Sequence, residues 1–307
     1  NVKKFNRKEN YWNRYFIGTK ENSTFRLLDH GQGSGWGKCD AIAQDSSGWL
    51  WFSSYKSNKG SIFCYNLEDE KPNSSSYRYF FPNGSEYHIS VPHVVNIDAA
   101  GRIFIGGGKD AEGKLVIFDH NGNPFKNGIN TPMYNGNYNK VWDMASVANP
   151  ADSRTWIVTE KGLYHYQYHN TLGSILTLIL DETQEKSTLK ATCIEIENTN
   201  RYRVTDIQGN LSGDSAKIES VLWLGTQQNG LAQVFTHLIV KSDGAVEKGV
   251  VDSIKVYNEA ENGLVNNFIN HLDIDRGNGY LWLATEGGLS RFYLGHKYKK
   301  VESNEKM

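Results

Sequence analysis

The chain has 307 residues, 38% of them hydrophobic and 12% aromatic, with 33 basic side chains against 34 acidic ones and a formal net charge of -1. That is enough apolar material for a sizeable core, and the balanced, interspersed charge argues against disorder and against nucleic acid or an anionic membrane surface as partner. The longest apolar stretch of note, Ile175 to Leu180, is far shorter than the roughly 20 residues that span a bilayer, so no membrane insertion is expected within the chain.

Asn1 opens the chain without an initiator Met or a signal-peptide pattern, which favours a piece of something longer. Residues 1–22 read as an N-terminal extension, and Ser23 to Leu28 as a strand-like piece with no blade of its own. The first full unit centres on Trp51 in DSSGWLWFSS (45–54), with Ile42 before it, Gly60 to Phe63 after it and an outer strand at Tyr77 to Phe81. Phe104 in DAAGRIFIGG (98–107) centres the second, between Val95 with Ile97 and Gly113 to Phe118, with only a weak outer strand near Asn123 to Phe125. Trp156 in SRTWIVT (153–159) centres the third, between Val141 with Met144 and Gly162 to Tyr164, with Ser174 to Leu180 outside. Trp223 in SVLWLGT (220–226) centres the fourth, between Ile194 with Ile196 and Gly230 to Phe235, with Val251 to Tyr257 outside. The fifth, on Trp282 in GNGYLWLAT (277–285), lies between Ile269, Leu272 and Ile274 and the strand Gly288 to Phe292; a charged tail, 296–307, follows.

Period-two alternation before each anchor reads as strand, and Asp-x-x-Gly between the first and second strands is turn chemistry, because Asp bonds its own backbone and Gly accepts positive φ. The aromatic supplies a large surface on which the next sheet packs, and the small residues after it, Ser53, Gly106, Gly225 and Ala284, permit close approach. Anchor spacings of 53, 52, 67 and 59 residues sit near the roughly 40–50 residues of four-stranded propeller blades, allowing for insertions. The expected fold is therefore all-β: a single β-propeller over 23–295 with five four-stranded blades, the N-terminal strand completing the last one and so removing an open edge. Extra strand-like residues at Arg201 to Ile207 and the unassigned 1–20 leave six or seven blades as the alternative, and a β-sandwich of unrelated hairpins is the competing architecture.

These residues resemble the two-component regulator propeller repeat, approximately a Gly-Leu and Asn lead-in, an apolar strand, Asp-x-x-Gly-x-Leu-Trp-Ile-Gly-Thr, then Gly-Leu and an aromatic. The fifth copy matches best, through Gly263, Leu264, Asn266, Asp275, Trp282, Thr285, Gly288, Leu289 and Phe292. The resemblance implies an extracytoplasmic, periplasmic or extracellular, ligand-binding or sensory propeller of bacterial type, in a family linked to glycan sensing and also found in secreted proteins.

Propeller ligands sit on loops entering the first strands or joining the second and third, which selects Trp36, Tyr55, His88, His93, Lys109, Tyr138 and Asn267 as ligand-binding candidates able to stack on or bond a small polar molecule or oligosaccharide. Trp51, Phe104, Trp156, Trp223 and Trp282 are read as structural anchors. No cofactor or metal is expected: His88 and His93 lack HExxH spacing, Cys39, Cys64 and Cys193 are scattered, and Gly106 to Lys109 lacks the Walker pattern. Asp40, Asp98, Asp143, Asp273 and Asp275 lie on or beside first strands, but Asp98 and Asp275 belong to repeated turns and no acid–base pair is assigned. A noncatalytic glycan-binding propeller, a secreted carbohydrate-active enzyme and a protein-interaction scaffold remain the three alternatives.

Overall fold

The computed structural model describes residues 41–45, 48–56, 59–66, 77–80, 89, 91–108, 113–118, 134–147, 154–181, 189–205 and 211–295, with four further strands inside 2–27. The chain divides into two compact units, one of residues 1–97 and 101–140 and one of 98–100 and 141–307.

The first unit begins with two hairpins, β1 (Val2–Asn6) with β2 (Tyr11–Tyr15) and β3 (Gly18–Glu21) with β4 (Thr24–Leu27). Two four-stranded antiparallel meanders follow: β5 (Ile42–Gln44), β6 (Trp49–Lys56), β7 (Lys59–Asn66) and β8 (Tyr77–Phe80), then β9 (Pro92–Ile97), β10 (Ile103–Gly107), β11 (Gly113–Phe118) and β12 (Tyr134–Asn139). The second unit has a third meander, β13 (Val141–Ser146), β14 (Arg154–Thr159), β15 (Gly162–His169) and β16 (Gly173–Asp181). A fourth comprises β17 (Ala191–Thr205), β18 (Leu211–Thr226), β19 (Leu231–Val240) and β20 (Val246–Tyr257). After the one-turn helix α1 (Glu259–Asn262) comes a three-stranded sheet of β21 (Ile269–Asp275), β22 (Tyr280–Thr285) and β23 (Gly288–Tyr293). The described chain is thus nearly all-β, in successive antiparallel meanders of the propeller-blade type.

Local chemistry sets these turns. In the first meander Asp45 Oδ1 accepts from Trp49 N at 2.9 Å while Gly48 takes φ 85°, the left-handed conformation the turn requires. Between second and third strands a Thr closes each hairpin of the second unit. Thr159, Thr226 and Thr285 donate from Oγ1 to the carbonyls of Gly162, Gly230 and Gly288 at 3.0, 2.8 and 2.7 Å. A Cβ on Gly230 would run into the Tyr257 carbonyl oxygen of the outer strand, so only glycine fits there.

The anchors stand on second strands, and Trp51, Phe104, Trp156 and Trp223 are at most 2% exposed. What covers Trp51, Trp156 and Trp223 is the first strand of the next sheet. Within the first unit Trp51 clusters with Val95 and Ile97 of β9; within the second, Trp156 clusters with Ile194 and Ile196 of β17, and Trp223 with Leu272 and Ile274 of β21. Two buried indoles also bond a carboxylate: Trp51 Nε1 donates to Asp45 at 2.9 Å and Trp223 Nε1 to Glu197 at 2.8 Å. At the equivalent place beside Trp156 the chain carries Val147, and the Trp156 ring instead meets His165 edge-on, 5.0 Å between centroids. His165 is fully buried, and neither ring nitrogen finds a hydrogen-bond partner among the described residues.

Four sequence expectations need correction. Thr24–Leu27 pairs with Gly18–Glu21 rather than with β23, because a hairpin spanning residues 22–23 closes a far smaller loop than pairing across most of the chain. Arg201 to Thr205 adds no blade of its own; it prolongs β17 to 15 residues, laddered against the 16 of β18. In the second meander the outer strand is β12; the Asn123 to Phe125 candidate lies outside the described residues, as does the tail 296–307. Trp282 is half-buried rather than core, with the Arg291 guanidinium 5.7 Å from its ring centre.

Sheet-on-sheet burial of the anchor predicts unequal mutational costs. Trp223→Ala should lower unfolding free energy by about 3–5 kcal/mol, and Trp282→Ala by clearly less; equal losses in urea titrations would count against this account. His165→Leu, which removes unbonded buried nitrogens, should leave the urea midpoint unchanged or raise it.

Candidate functional site at the first strands

The first strand of each sheet is an edge, with one row of backbone N–H and C=O groups that no strand of its own sheet can bond. In the second unit β13, β17 and β21 lie alongside one another, and side chains stitch these edges together. Asp143 Oδ2 accepts from Ile194 N at 2.9 Å, while its Oδ1 accepts from Met144 N at 2.8 Å. Thr192 Oγ1 donates to the Ile269 carbonyl at 2.6 Å. The Arg276 guanidinium donates to the carbonyls of Ile196 and Glu197 at 2.6 and 2.9 Å.

A bulge near the start of the first strand recurs in four sheets. The ladder skips His93 in β9, Trp142 in β13, Thr192 in β17 and Asn270 in β21, each time opposite the end of the second strand. Bulges twist a strand and re-aim its side chains, so the residues that follow occupy equivalent places in every copy. The first such place holds Val94, Asp143, Cys193 and His271; two residues on, opposite the anchor, stand Asn96, Ala145, Glu195 and Asp273. The scaffold repeats, but the chemistry placed on it does not.

Within the second unit this brings three carboxyls, a thiol, a histidine and an arginine together. Burial pushes Asp143 up to about 6, against the pull of the Ile194 and Met144 amides and of His271. Burial likewise raises Glu195 to about 7; Arg276 opposes this, and Asp143 and Asp273 reinforce it. Burial, with Asp143 nearby, holds the Cys193 thiol well above its ordinary value, so it is a packed, inert thiol rather than a nucleophile. His271 and Asp273 are exposed, giving the group a solvent-facing side. Among the described residues no group of three or more His, Cys, Asp or Glu side chains is placed to hold a metal ion. A separate cavity of about 20 Å³ lies between the third and fourth sheets, too small for a sugar and lined mainly by Leu163, Leu180, Leu189 and Leu224.

The sequence candidates fare differently. Trp36, His88 and Lys109 lie outside the described residues. Tyr55 and Tyr138 were expected in loops; their backbones belong to β6 and β12, because the β6–β7 ladder runs out to Lys56 opposite Lys59 and β12 pairs along β11. His93 is the bulge residue of β9 and half-buried. Asn267 is half-buried and its Oδ1 accepts from Glu259 N at 2.8 Å, which ties down the α1 loop. Asp143 and Asp273 reach the cluster; Asp275 caps its own turn through Asn278. Glu195, His271 and Arg276 escaped sequence inspection. Aligning the first strands on the residue opposite each anchor would have exposed Glu195 and Asp273, since three copies carry Ala or Asn there.

These titrations have a sign. The folded chain keeps protons on Asp143 and Glu195 up to about 6 and 7, whereas the reference values are 3.8 and 4.5, so folding binds protons across that window and stability falls as pH rises through it. His165, pushed down to about 3 from 6.5 by burial and by Arg154, acts oppositely: its contribution grows as pH rises from about 3 to 6.5. Glu195→Gln should therefore flatten the decline between pH 4.5 and 7 in urea midpoints measured at stepped pH; a profile identical to wild type would sink the assignment.

No protein-family model matches the chain, and no curated protein matches it. Among solved structures it is similar to PorZ, an essential bacterial surface component of the type-IX secretion system of Porphyromonas gingivalis, at 18% identity and a TM-score of 0.55, covering 89% of this chain and 34% of that one. It also matches a virginiamycin B lyase from Staphylococcus aureus at 12% identity and a TM-score of 0.38, covering 85% and 86% of the two chains. A match to the extracellular domain of a putative one-component system from Bacteroides thetaiotaomicron has 13% identity and a TM-score of 0.33, covering 91% and 34%. The chain spans about a third of the length of PorZ, and that likeness is one of fold.

Proposed function

We propose that this chain is a noncatalytic, extracytoplasmic ligand-binding or sensory module of propeller type, each anchor-bearing sheet acting as a blade, and that its ligand is a polar molecule, in the first instance a glycan. The observation that carries this reading is the convergence of Asp143, Glu195, His271, Asp273 and Arg276 on three adjoining first strands, at places where the scaffold repeats but the residues do not. Sugar hydroxyls need donors and acceptors together. Carboxyls that ionise near neutrality supply both, and exposed His271 and Asp273 add directional partners at the solvent side. The surface location of PorZ is in keeping with an extracytoplasmic setting.

A second reading is favoured by one fact: two neighbouring carboxyls with raised pKa values are also what a carbohydrate-active enzyme uses as acid and base. Calorimetry against a panel of oligosaccharides, with product analysis of the same mixtures, separates the two. The expected result is binding without turnover, weakened about tenfold or more by Glu195→Gln and by His271→Ala. Products that vanish in Glu195→Gln would instead establish the enzyme. Failure to bind any member of the panel would remove the glycan proposal and leave a protein-interaction scaffold.

A further inference from the structure

His165, Gln167 and His169 follow one another at every second residue of β15 and so stand on one face of the strand. It is the face of Trp156, which pairs with His165, and of Arg154, which pairs with Gln167. The fourth sheet covers it. Ile218, Leu238, Val240 and Val246 are buried in one cluster with Trp156, and Gly249 of β20 passes so close to Ile179 of β16 that a Cβ there would collide with it. All of these residues belong to the second unit.

The two outer residues clamp the tip of the β19–β20 hairpin. Gln167 Nε2 donates to the Gly244 carbonyl at 2.6 Å, and its Oε1 accepts from Val246 N at 3.1 Å. His169 Nδ1 lies 3.3 and 3.2 Å from Thr171 N and Leu172 N, backbone amides that can only donate. Its Nε2 lies 2.9 Å from the Asp243 carbonyl, which can only accept. Nδ1 must therefore be bare and Nε2 must carry the proton. A second proton would go to Nδ1 and turn the acceptor of two amides into a donor facing them.

Beneath the clamp sits a group that acid also disturbs. His165 is 0% exposed, and neither ring nitrogen has a hydrogen-bond partner among the described residues. Trp156 meets its ring edge-on, and Thr177 stands opposite it on β16. The charge beside it is Arg154, which opposes its protonation. At the hairpin tip are Lys241 and Asp243, whose Oδ1 accepts from Ala245 N. On the fourth sheet Glu195, Lys217 and Glu219 alternate with the buried Ile194, Ile196 and Ile218, Glu197 bonds Trp223 on the far face, and Glu247, Lys248, Asp252 and Lys255 are exposed. Burial and Arg154 hold His165 at about 3 while the sheets are closed over it, against 6.5 in water. Parting the sheets there binds a proton between those values, so it is favoured as pH falls through that window.

We propose that this end of the third and fourth sheets is an acid-sensitive latch: in mild acid His169 releases the hairpin tip, and His165, reached by water, takes up the proton that keeps the sheets parted. The opening is local. It bares Ile179 and Val246 and leaves β21–β23 folded.

Hydrogen exchange of the whole chain at pH 7.5 and 4.5, corrected for intrinsic rates, tests this. An opening that takes up one such proton should become ~100-fold more frequent over the interval, read as lost protection at Thr171, Leu172 and Val246, with the β22 amides no less protected than before. His165→Leu, which keeps the interface apolar, should remove most of that gain at Val246. His169→Ala should free Thr171 and Leu172 already at pH 7.5. Protection of Val246 that acid leaves unchanged would overturn the proposal, as would a gain that persists in His165→Leu or extends equally to β22, or unaltered protection of Thr171 and Leu172 in His169→Ala.

Discussion

A meander of three or four strands has two faces and can hide neither by itself. In three sheets the problem is met by an aromatic on the second strand, Trp51, Trp156 or Trp223, buried beneath an apolar pair on the first strand of the following sheet. Trp223 illustrates how much hangs on that contact: its ring packs against Leu272 and Ile274 of the next sheet while its Nε1 donates to Glu197 of its own, so burial and hydrogen bonding are both met at one side chain. The small residues that follow the anchor, the Thr that closes the hairpin and the glycine beneath the outer strand all bring the neighbouring strands close enough for it. Sheets of this kind are stable in series, not singly.

Close packing of sheets has a second consequence, at the first strands. Each is an edge whose outward backbone groups would be left unbonded as the sheets converge. Asp143 and Thr192, at or just after the recurring bulge, bond such groups on the next sheet, and Arg276 bonds two on the preceding one. The acid that stitches β13 to β17 is therefore also the acid brought beside Glu195. Structural and chemical duties meet in one side chain, which is why Asp143 is a poor choice for testing ligand binding and Glu195 a better one.

Legibility in the sequence followed the same division. The anchors, the Asp-x-x-Gly turns and most strands could be read because they repeat, and repetition of one strand-turn-strand pattern along a chain has few other causes. The extension of β17 through Thr205 looked like separate material because an over-long hairpin has the same alternation as a new one. Tyr55 and Tyr138 were assigned to loops because the reach of a ladder past its apolar residues leaves no compositional trace. The cluster at the first strands was half visible: Asp143 and Asp273 stood out as acids on strands, whereas Glu195 and His271 matter through their register against the second strand, which only pairing reveals.

Register also leaves Glu195 incompletely compensated. Arg276 is close enough to lower the Glu195 pKa, yet its guanidinium already bonds the Ile196 and Glu197 carbonyls, and burial still outweighs it. An acid of this kind is short of solvation, and a donor brought by a ligand would supply what neither water nor Arg276 provides. The places opposite the anchors on the other sheets hold Ala43, Ala145 and Asn96, side chains that make no such demand on their surroundings. A purely architectural solution was therefore open at Glu195 as well, and the carboxyl there, whose charged form burial disfavours, is the group that the proposed function puts to use.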